Sequence, residues 1–390
     1  GIPWGLYHKA DEIHARIGQI VEANPGTMRL EERTEAGDND GFPAARQGYL
    51  ATLQVVTVEL GGLAEDRSGK ARILVNFGEH AREVITSEIA LKLVETLASE
   101  EAIKSMVGRA EFEAVMSALR NTVLVIVPME NRSGRRLVEG GDPCVRVTGR
   151  GVDPNRNWEW DWGVKEPDYV ASEEYGGPRP FSEPEVKILR ALLQEHDVHA
   201  WVNVHSGMHA MFTPFDYVKE VPKDTSVVEN LRILGKLRDL HCPKCELGSG
   251  GATVGYKAHG TAVDHLYMEG KVKFASTWEV FGVTDADMDD CARMFNPLEE
   301  REFHDIVNDW TAAVLQTVKL LPVSPGIPAY ELFRPLTMEE LPVPSDAKGL
   351  GQWHRDRLQQ VSKSHTSLPV GKTTTPPATE WVEGGQGRGG

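Results

Sequence analysis

The chain has 390 residues, of which 40% are hydrophobic and 26% charged, an ordinary composition for one large globular domain or two average ones. Its formal net charge of −16 repels phosphate backbones, so we expect no nucleic-acid partner. Apolar runs such as Thr122–Pro128 are far shorter than the roughly 20 residues of a membrane-spanning helix, so we expect no membrane span.

The first half of the chain alternates helix and strand patterns. Apolar residues recur at helical spacing over Asp11–Asn24, and Leu50–Leu60 alternates as a half-buried strand does. Arg72–Phe77 is a more continuous apolar run than Leu50–Leu60, as is typical of a buried strand, and Val84–Leu97 returns to helical spacing. A further buried strand is predicted at Thr122–Val127.

The alternation continues in the second half. A Ser-Glu-Pro start predicts a helix over Ser182–His196, followed by a strand at Trp201–Val204. The last long helix is predicted at Phe303–Leu320. Strands that alternate with helices of this length indicate an α/β fold whose sheet is covered by helices on both faces.

The composition changes after about Pro322. Prolines recur over residues 322–350, and from Gln359 onward Ser, Thr, Gly and Pro predominate. Such a segment cannot bury enough apolar surface to offset the entropy cost of ordering it. We therefore expect a folded domain over residues 1–321 and a partly disordered C-terminal extension over residues 322–390.

Four cysteines, Cys144, Cys242, Cys245 and Cys291, are too few for a disulfide scaffold but allow two bridges. We expect both bridges, which would suit the secretory pathway or the extracellular space. The alternative is four reduced thiols in a cytoplasmic protein. No charged-then-apolar leader precedes Gly1, so we expect any signal peptide to have been removed.

Candidate metal ligands stand at two predicted strand ends, where ligands gather in α/β folds. His80 and Glu83 lie three residues apart, directly after the strand that ends at Phe77, and His205 follows Val204. A lone His-x-x-Glu pair is more often a surface hydrogen-bonding pair. With a third ligand, two imidazoles and one carboxylate leave a position for water on Zn²⁺, as in hydrolytic zinc sites.

The segment Asn155-Arg156-Asn157 places a guanidinium beside two amides. Such a group is suited to a bidentate grip on a carboxylate. A structural turn is an equally open interpretation of these residues alone.

Five ordered motifs carry a resemblance to a known family: HARE at 80–83, GVDPNRNW at 151–158, FSEPE at 181–185, VHS at 204–206 and TWEVFG at 277–282. They resemble the zinc metallocarboxypeptidases of the carboxypeptidase A, B and D type, over about Tyr7–Leu320. GGDPC at 140–144, HCPKC at 241–245 and DCARMFNP at 290–297 are most similar to a plant and algal branch. The resemblance implies one large α/β domain with a twisted sheet of mixed parallel and antiparallel strands.

The resemblance also implies one Zn²⁺ per chain, bound by His80, Glu83 and His205. Asp153 would accept a hydrogen bond from the far nitrogen of His80 and so fix its tautomer. Glu279 would be the general base, which takes a proton from water and delivers one to the leaving amine.

Further residues are assigned to substrate by the same resemblance. Arg146 is similar to the arginine that stabilises the oxyanion, with Arg150 as its rival. Asn155 and Arg156 would hold the terminal carboxylate of the substrate, which makes the enzyme an exopeptidase. Arg82 would contact residues further from the scissile bond.

Two tyrosines compete for one role. Tyr256 is similar to the mobile tyrosine that closes over the substrate in this family. Tyr267 is its rival, and we expect it to pack in the core.

Two residues give conflicting signals on specificity. Asp216 stands where carboxypeptidases D, E and N have an aspartate that attracts Lys or Arg. Val263 stands where digestive relatives have a pocket-floor residue, and it is apolar as in carboxypeptidase A. We favour basic C-terminal residues over aliphatic or aromatic ones, with glutamate trimming as the third alternative.

The sequence therefore predicts a monomeric, zinc-dependent exopeptidase that acts on the C-termini of peptides or proteins. A deacylase or amidase with the same zinc core is one alternative. A non-catalytic, zinc-stabilised binding protein is the other, and the presence of Glu279 argues against it.

Overall fold

The computed structural model describes residues 1–64, 66–67, 69–222, 225–254, 257–269, 272–287 and 290–321. The strands are β1 (Met28–Ala36), β2 (Leu50–Val58), β3 (Ala71–Phe77), β4 (Thr122–Val127), β5 (Ala200–His205), β6 (Ala210–Thr213), β7 (Glu246–Ser249) and β8 (Phe274–Glu279). The helices are α1 (Ala10–Ala23), α2 (Val84–Leu97), α3 (Glu100–Val107), α4 (Arg109–Arg120), α5 (Arg132–Glu139), α6 (Ala171–Glu174), α7 (Pro184–His196), α8 (Thr225–His241), α9 (Gly250–Thr253), α10 (Ala262–Met268), α11 (Cys291–Phe295) and α12 (Glu300–Leu320). The proposed extension over residues 322–390 lies outside the described residues, so the domain boundary remains a prediction.

The strands form one mixed sheet in the order β1-β2-β4-β3-β5-β8-β6-β7. Its centre, β4-β3-β5-β8, is parallel throughout. Antiparallel pairs join β1 to β2, β2 to β4 and β6 to β8. The predicted fold class, an α/β domain with a mixed central sheet, is confirmed.

Helices cover both faces of this sheet. Ile73 and Val75 of β3 point into a large core shared with α1, α2, α8 and α12, whereas Leu74 points into a second core shared with α7 and α10. Because both faces of β3 are covered, all of its residues are buried, which explains why its sequence is largely apolar. In the part of the chain that is described, none of the helices combines the length and apolarity that a membrane crossing would require.

The parallel centre determines where the functional side chains meet. The carboxyl ends of β3, β5 and β8 lie side by side at one edge of the sheet. His205, the last residue of β5, is directly opposite Glu279, the last residue of β8. Residues far apart in the sequence are thereby brought to one place.

Several elements were not predicted from the sequence, among them β1, and helix α7 begins two residues later than predicted. β1 was not predicted, because it is an edge strand whose exposed face carries charged residues and which buries little beyond Met28. Helix α7 begins at Pro184, with Glu183 rather than Ser182 in the N-cap position. The Ser182 hydroxyl instead donates to the Glu183 carboxylate at 2.9 Å.

Candidate metal centre and active site

The three predicted metal ligands converge at the carboxyl edge of the sheet. His80 lies in the turn after β3, Glu83 is the N-cap residue of α2, and His205 ends β5. Nδ1 of His80 lies 2.7 Å from Oε1 of Glu83, and Nδ1 of His205 lies 2.9 Å from Oε2 of Glu83. The two Nδ1 atoms are 3.1 Å apart. All three side chains are buried and aim their donor atoms at a common point.

This donor set fits zinc. Ligand atoms bound to one Zn²⁺ at about 2.0–2.2 Å lie roughly 3–3.5 Å from one another, close to the separations found here. Burial alone would raise the pKa of Glu83, but His80 and His205 outweigh it and hold the pKa below its usual range. Glu83 is therefore a carboxylate, the form that binds a metal.

Asp153 supports this centre from behind. Its Oδ1 lies 3.2 Å from Nε2 of His80, and its Oδ2 accepts hydrogen bonds from Arg146 at 2.9 and 3.0 Å. Burial alone would raise the pKa of Asp153, but the charges of Arg146 and His80 hold it well below its usual range. An ionised Asp153 can thus orient both a ligand imidazole and a cavity-lining arginine.

Glu279 faces the same space. It ends β8 beside His205, and its Oε2 has no hydrogen-bond partner among the described residues. Burial, assisted by the charge of Glu83, raises the pKa of Glu279 to about 7. A carboxyl group with a pKa near neutrality is suited to both accepting and donating a proton.

The structure separates the two candidate arginines. Arg146 lines the cavity beside the metal ligands. Arg150 is buried elsewhere and forms two hydrogen bonds, of 2.8 and 2.9 Å, with the carboxylate of Glu183. The guanidinium of Arg150 thus ties its own segment to Glu183, the N-cap residue of α7, and does not line the cavity. Arg146 therefore remains the candidate for stabilising the oxyanion.

Asn155 and Arg156 lie in a short 3₁₀ turn and line the same cavity. Oδ1 of Asn155 accepts the backbone N–H of Ala262 at 3.0 Å, which fixes the side chain. The guanidinium of Arg156 donates to its neighbour's backbone carbonyl at 2.9 Å, and its closest carboxylate in the described chain, that of Glu174, is 3.5 Å away. The pair is therefore held in place while retaining donors for an anion.

Arg82 borders the cavity on another side. Its guanidinium stacks 4.2 Å from the ring centre of Phe295 and pairs with Glu173 at 2.8 Å. Arg82 is thus near the reacting groups but already has a carboxylate partner.

The metal ligands, Glu279, Arg146 and the Asn155–Arg156 pair line one cavity of about 240 Å³. Asp216 lines it as well. Position 250 requires glycine, since a Cβ on that residue would overlap the carboxylate of Asp216. Burial raises the pKa of Asp216 to about 6.

Val263 is not among the described residues that line this cavity, so its assignment as a pocket-floor residue remains a prediction. It is 2% exposed and packs in the second core with Trp158 and Val186. The physical reason is that α10 turns this apolar face toward the sheet. Tyr267, on the same helix, is buried against Phe215, as expected of a core residue.

Tyr256 lies outside the described residues, so its role remains a prediction.

Sequence reasoning missed a row of buried polar residues beneath the metal centre: Asn76, Glu79, Glu130 and Asn203. The signal was present, because Asn76 and Asn203 interrupt otherwise apolar strands. A polar side chain in such a strand needs a buried partner.

Both expected disulfides are present, Cys144–Cys291 and Cys242–Cys245. The first joins the loop that carries Arg146 to helix α11, whose Phe295 lines the cavity. This bridge therefore connects two walls of the candidate active site.

Comparison with known proteins gives one family. Residues 46–313 match the family model Peptidase_M14, described as zinc carboxypeptidase. The chain is 26% identical over 291 residues to carboxypeptidase B of Astacus astacus, an alignment that covers 71% of this chain and 87% of that protein. It is 26% identical over 294 residues to carboxypeptidase A2 of Mus musculus, covering 71% of this chain and 63% of the mouse protein. The chain thus spans less than two thirds of the mouse relative.

Solved structures show the same fold. Thrombin-activatable fibrinolysis inhibitor superposes with a TM-score of 0.63 at 22% identity, over 81% of this chain and 75% of that one. Carboxypeptidase A from Helicoverpa armigera superposes with a TM-score of 0.62 at 19% identity, over 80% of this chain and 74% of that one.

Proposed function

The chain belongs to the zinc carboxypeptidase family, and on that premise we propose that it is a zinc-dependent exopeptidase that releases C-terminal residues from peptides and proteins, with a preference for Lys or Arg. One observation supports the proposal most strongly: one cavity is lined by the three candidate metal ligands, by Glu279 and by the Asn155–Arg156 pair. A metal site alone is compatible with many hydrolytic reactions. A carboxylate-binding pair beside it selects substrates with a free C-terminus.

The roles of the side chains follow from their positions. Zinc, when bound, would polarise the scissile carbonyl and activate water near neutral pH. Glu279, whose pKa is raised to about 7, would take a proton from water and deliver one to the leaving amine. Arg146 would stabilise the negative charge that develops on the carbonyl oxygen.

The mode of cleavage can be tested with paired peptides that end in a free carboxylate or in an amide. We expect mass spectrometry to show loss of the last residue only from the free-acid series. A chelator should stop the reaction and added Zn²⁺ should restore it. Equal cleavage of the amidated series would contradict the exopeptidase proposal and favour an amidase.

The preference for basic residues rests on Asp216. Among the described residues, no Lys or Arg lies within ion-pair distance of its carboxylate. The carboxyl group of Asp264 lies next to it and accepts the backbone N–H of Asp216 at 2.9 Å. Burial and the neighbouring Asp216 raise the pKa of Asp264 well above its usual range, so Asp216 is the more acidic of the two. An unpaired buried carboxylate is unfavourable, and the cationic side chain of a substrate would relieve that cost.

Replacing Asp216 with Asn should lower kcat/KM for a substrate ending in Lys by about 30- to 1000-fold, as expected when one partner of a buried charge pair is lost. The value for the same substrate ending in Leu should change by less than about threefold, since no charge pair is involved. Asp285→Asn, which removes an exposed charge outside the cavity, is the matched control. Equal losses for Lys and Leu substrates would remove Asp216 from the specificity site.

The raised pKa of Asp216 predicts that the preference for basic over apolar substrates depends on pH. With its pKa raised to about 6, Asp216 is ionised above pH 6 and neutral below it. The ratio of kcat/KM for Lys and Leu substrates should therefore fall as the pH drops through 6. Titration of Glu279 affects both substrates alike and cancels in the ratio. The ratio should be flat in Asp216→Asn, and a flat ratio in the wild type would contradict the assignment.

The two disulfides support a place in an oxidising compartment, the secretory pathway or the extracellular space. Cytosolic thiols are kept reduced, so bridges of this kind seldom persist there.

A further inference from the structure

Glu79 is buried directly beneath the metal centre and has no role in the chemistry described above. It is fully buried and immediately precedes the ligand His80. Its Oε2 lies 2.9 Å from Nε2 of His205, the nitrogen on the far side of that ring from the metal-facing Nδ1. Glu79 therefore contacts a zinc ligand from the next strand rather than its own neighbour in the chain.

An amide holds the Glu79 carboxylate in this position. Nδ2 of Asn203 donates to the same Oε2 at 2.6 Å. Asn203 and Asn76 are register partners on β5 and β3, and Nδ2 of Asn76 donates to Oδ1 of Asn203 at 3.1 Å. Asn76 also donates to Oε2 of Glu130 at 2.5 Å. The row Glu79–Asn203–Asn76–Glu130 is buried throughout and crosses the central strands just below the ligands.

Each of the two ligand imidazoles has a carboxylate beside its Nε2, as a hydrogen bond at His80 and as a close ion-pair contact at His205. His80 directs Nδ1 to the centre and has Asp153 at its Nε2, at 3.2 Å. His205 directs Nδ1 to the centre and has Glu79 at its Nε2. A carboxylate at the far nitrogen fixes the tautomer of a ligand histidine and raises its basicity.

We propose that Glu79 is a positioning residue for His205: its carboxylate, 2.9 Å from Nε2, favours the proton on that nitrogen, so that the Nδ1 lone pair faces the metal. The proposal rests on the zinc centre of the proposed function. Asn203 orients Glu79, while Glu130 anchors the far end of the row without contacting either histidine.

The test compares Glu79→Gln with Glu130→Gln, which makes the same change two amides further along the row. Zinc affinity is measured by chelator competition on the folded full-length protein, independently of activity. We expect Glu79→Gln to weaken zinc binding by about 10- to 100-fold, the usual effect of losing such a partner. Glu130→Gln should change it by less than about threefold. Equal affinities in wild type and Glu79→Gln, or equal losses in both variants, would overturn the proposal.

A measurement on the wild type keeps the proposal testable should Glu79→Gln fail to fold. In ¹⁵N-histidine-labelled, zinc-loaded protein, His80 and His205 should both carry a slowly exchanging Nε2 proton. A His205 that is protonated at Nδ1, or whose Nε2 proton exchanges as fast as that of an exposed histidine, would contradict the assignment. A wild type that binds no zinc would instead contradict the proposed function itself.

Discussion

Replacing Glu279 with Gln should lower kcat by about 10²- to 10⁴-fold, the usual contribution of a general acid–base group. Gln has nearly the same shape but cannot accept the proton from water. Glu279 is not among the three converging ligands, so the variant should retain zinc at one ion per chain. Steady-state kinetics and metal analysis on the same preparation check both statements.

The outcome separates catalysis from binding. Glu279→Gln should bind substrate with a KM close to that of the wild type, since Asn155 and Arg156 are unchanged. Near-normal turnover would assign the base elsewhere. Loss of zinc together with activity would make Glu279 part of the metal site rather than the base.

Arg146→Ala should lower kcat and kcat/KM together by about 10²- to 10³-fold, the loss expected when one oxyanion-stabilising donor is removed. A parallel loss indicates an interaction that is made in the transition state. Arg146→Lys should recover part of the rate, because it restores the charge but not the forked geometry.

Arg146 also pairs with Asp153, so zinc content must be measured in both variants. In both variants Asp153 should still accept the backbone N–H of Asn155, which lies 2.9 Å away, and should still contact His80. The metal should therefore remain bound. A rise in KM with unchanged kcat would instead place Arg146 among the groups that bind substrate equally in the ground and transition states.

The part of the site that could be predicted from sequence is the part that lies at strand ends. Phe77 and Val204 close buried apolar runs; His80 lies three residues after the first and His205 directly follows the second. Parallel neighbouring strands bring their carboxyl ends together, so these positions meet without any knowledge of the loops. Helix α2 and strand β4 were also predictable to the residue, the helix from the helical spacing of its apolar residues and the strand from its continuous apolar run.

The rest depends on contacts between residues distant in sequence. Nothing local distinguishes Arg146 from Arg150 until Glu183, on another segment, pairs with one of them. Val263 packs in the second core because of the rotation of the short helix α10, which its position in the sequence does not reveal. Glu79 was overlooked because its partner, His205, belongs to a strand that follows much later in the chain.

The most direct test of the account is X-ray absorption at the zinc edge of the purified protein, together with metal analysis of a His80→Ala/His205→Ala variant. We expect one zinc per chain with nitrogen and oxygen neighbours at about 2.0–2.2 Å, and no zinc in the variant. A shell of sulfur neighbours at about 2.3 Å would contradict this ligand set, because it would mean that cysteines bind the metal. Full zinc retention by the variant would contradict it as well.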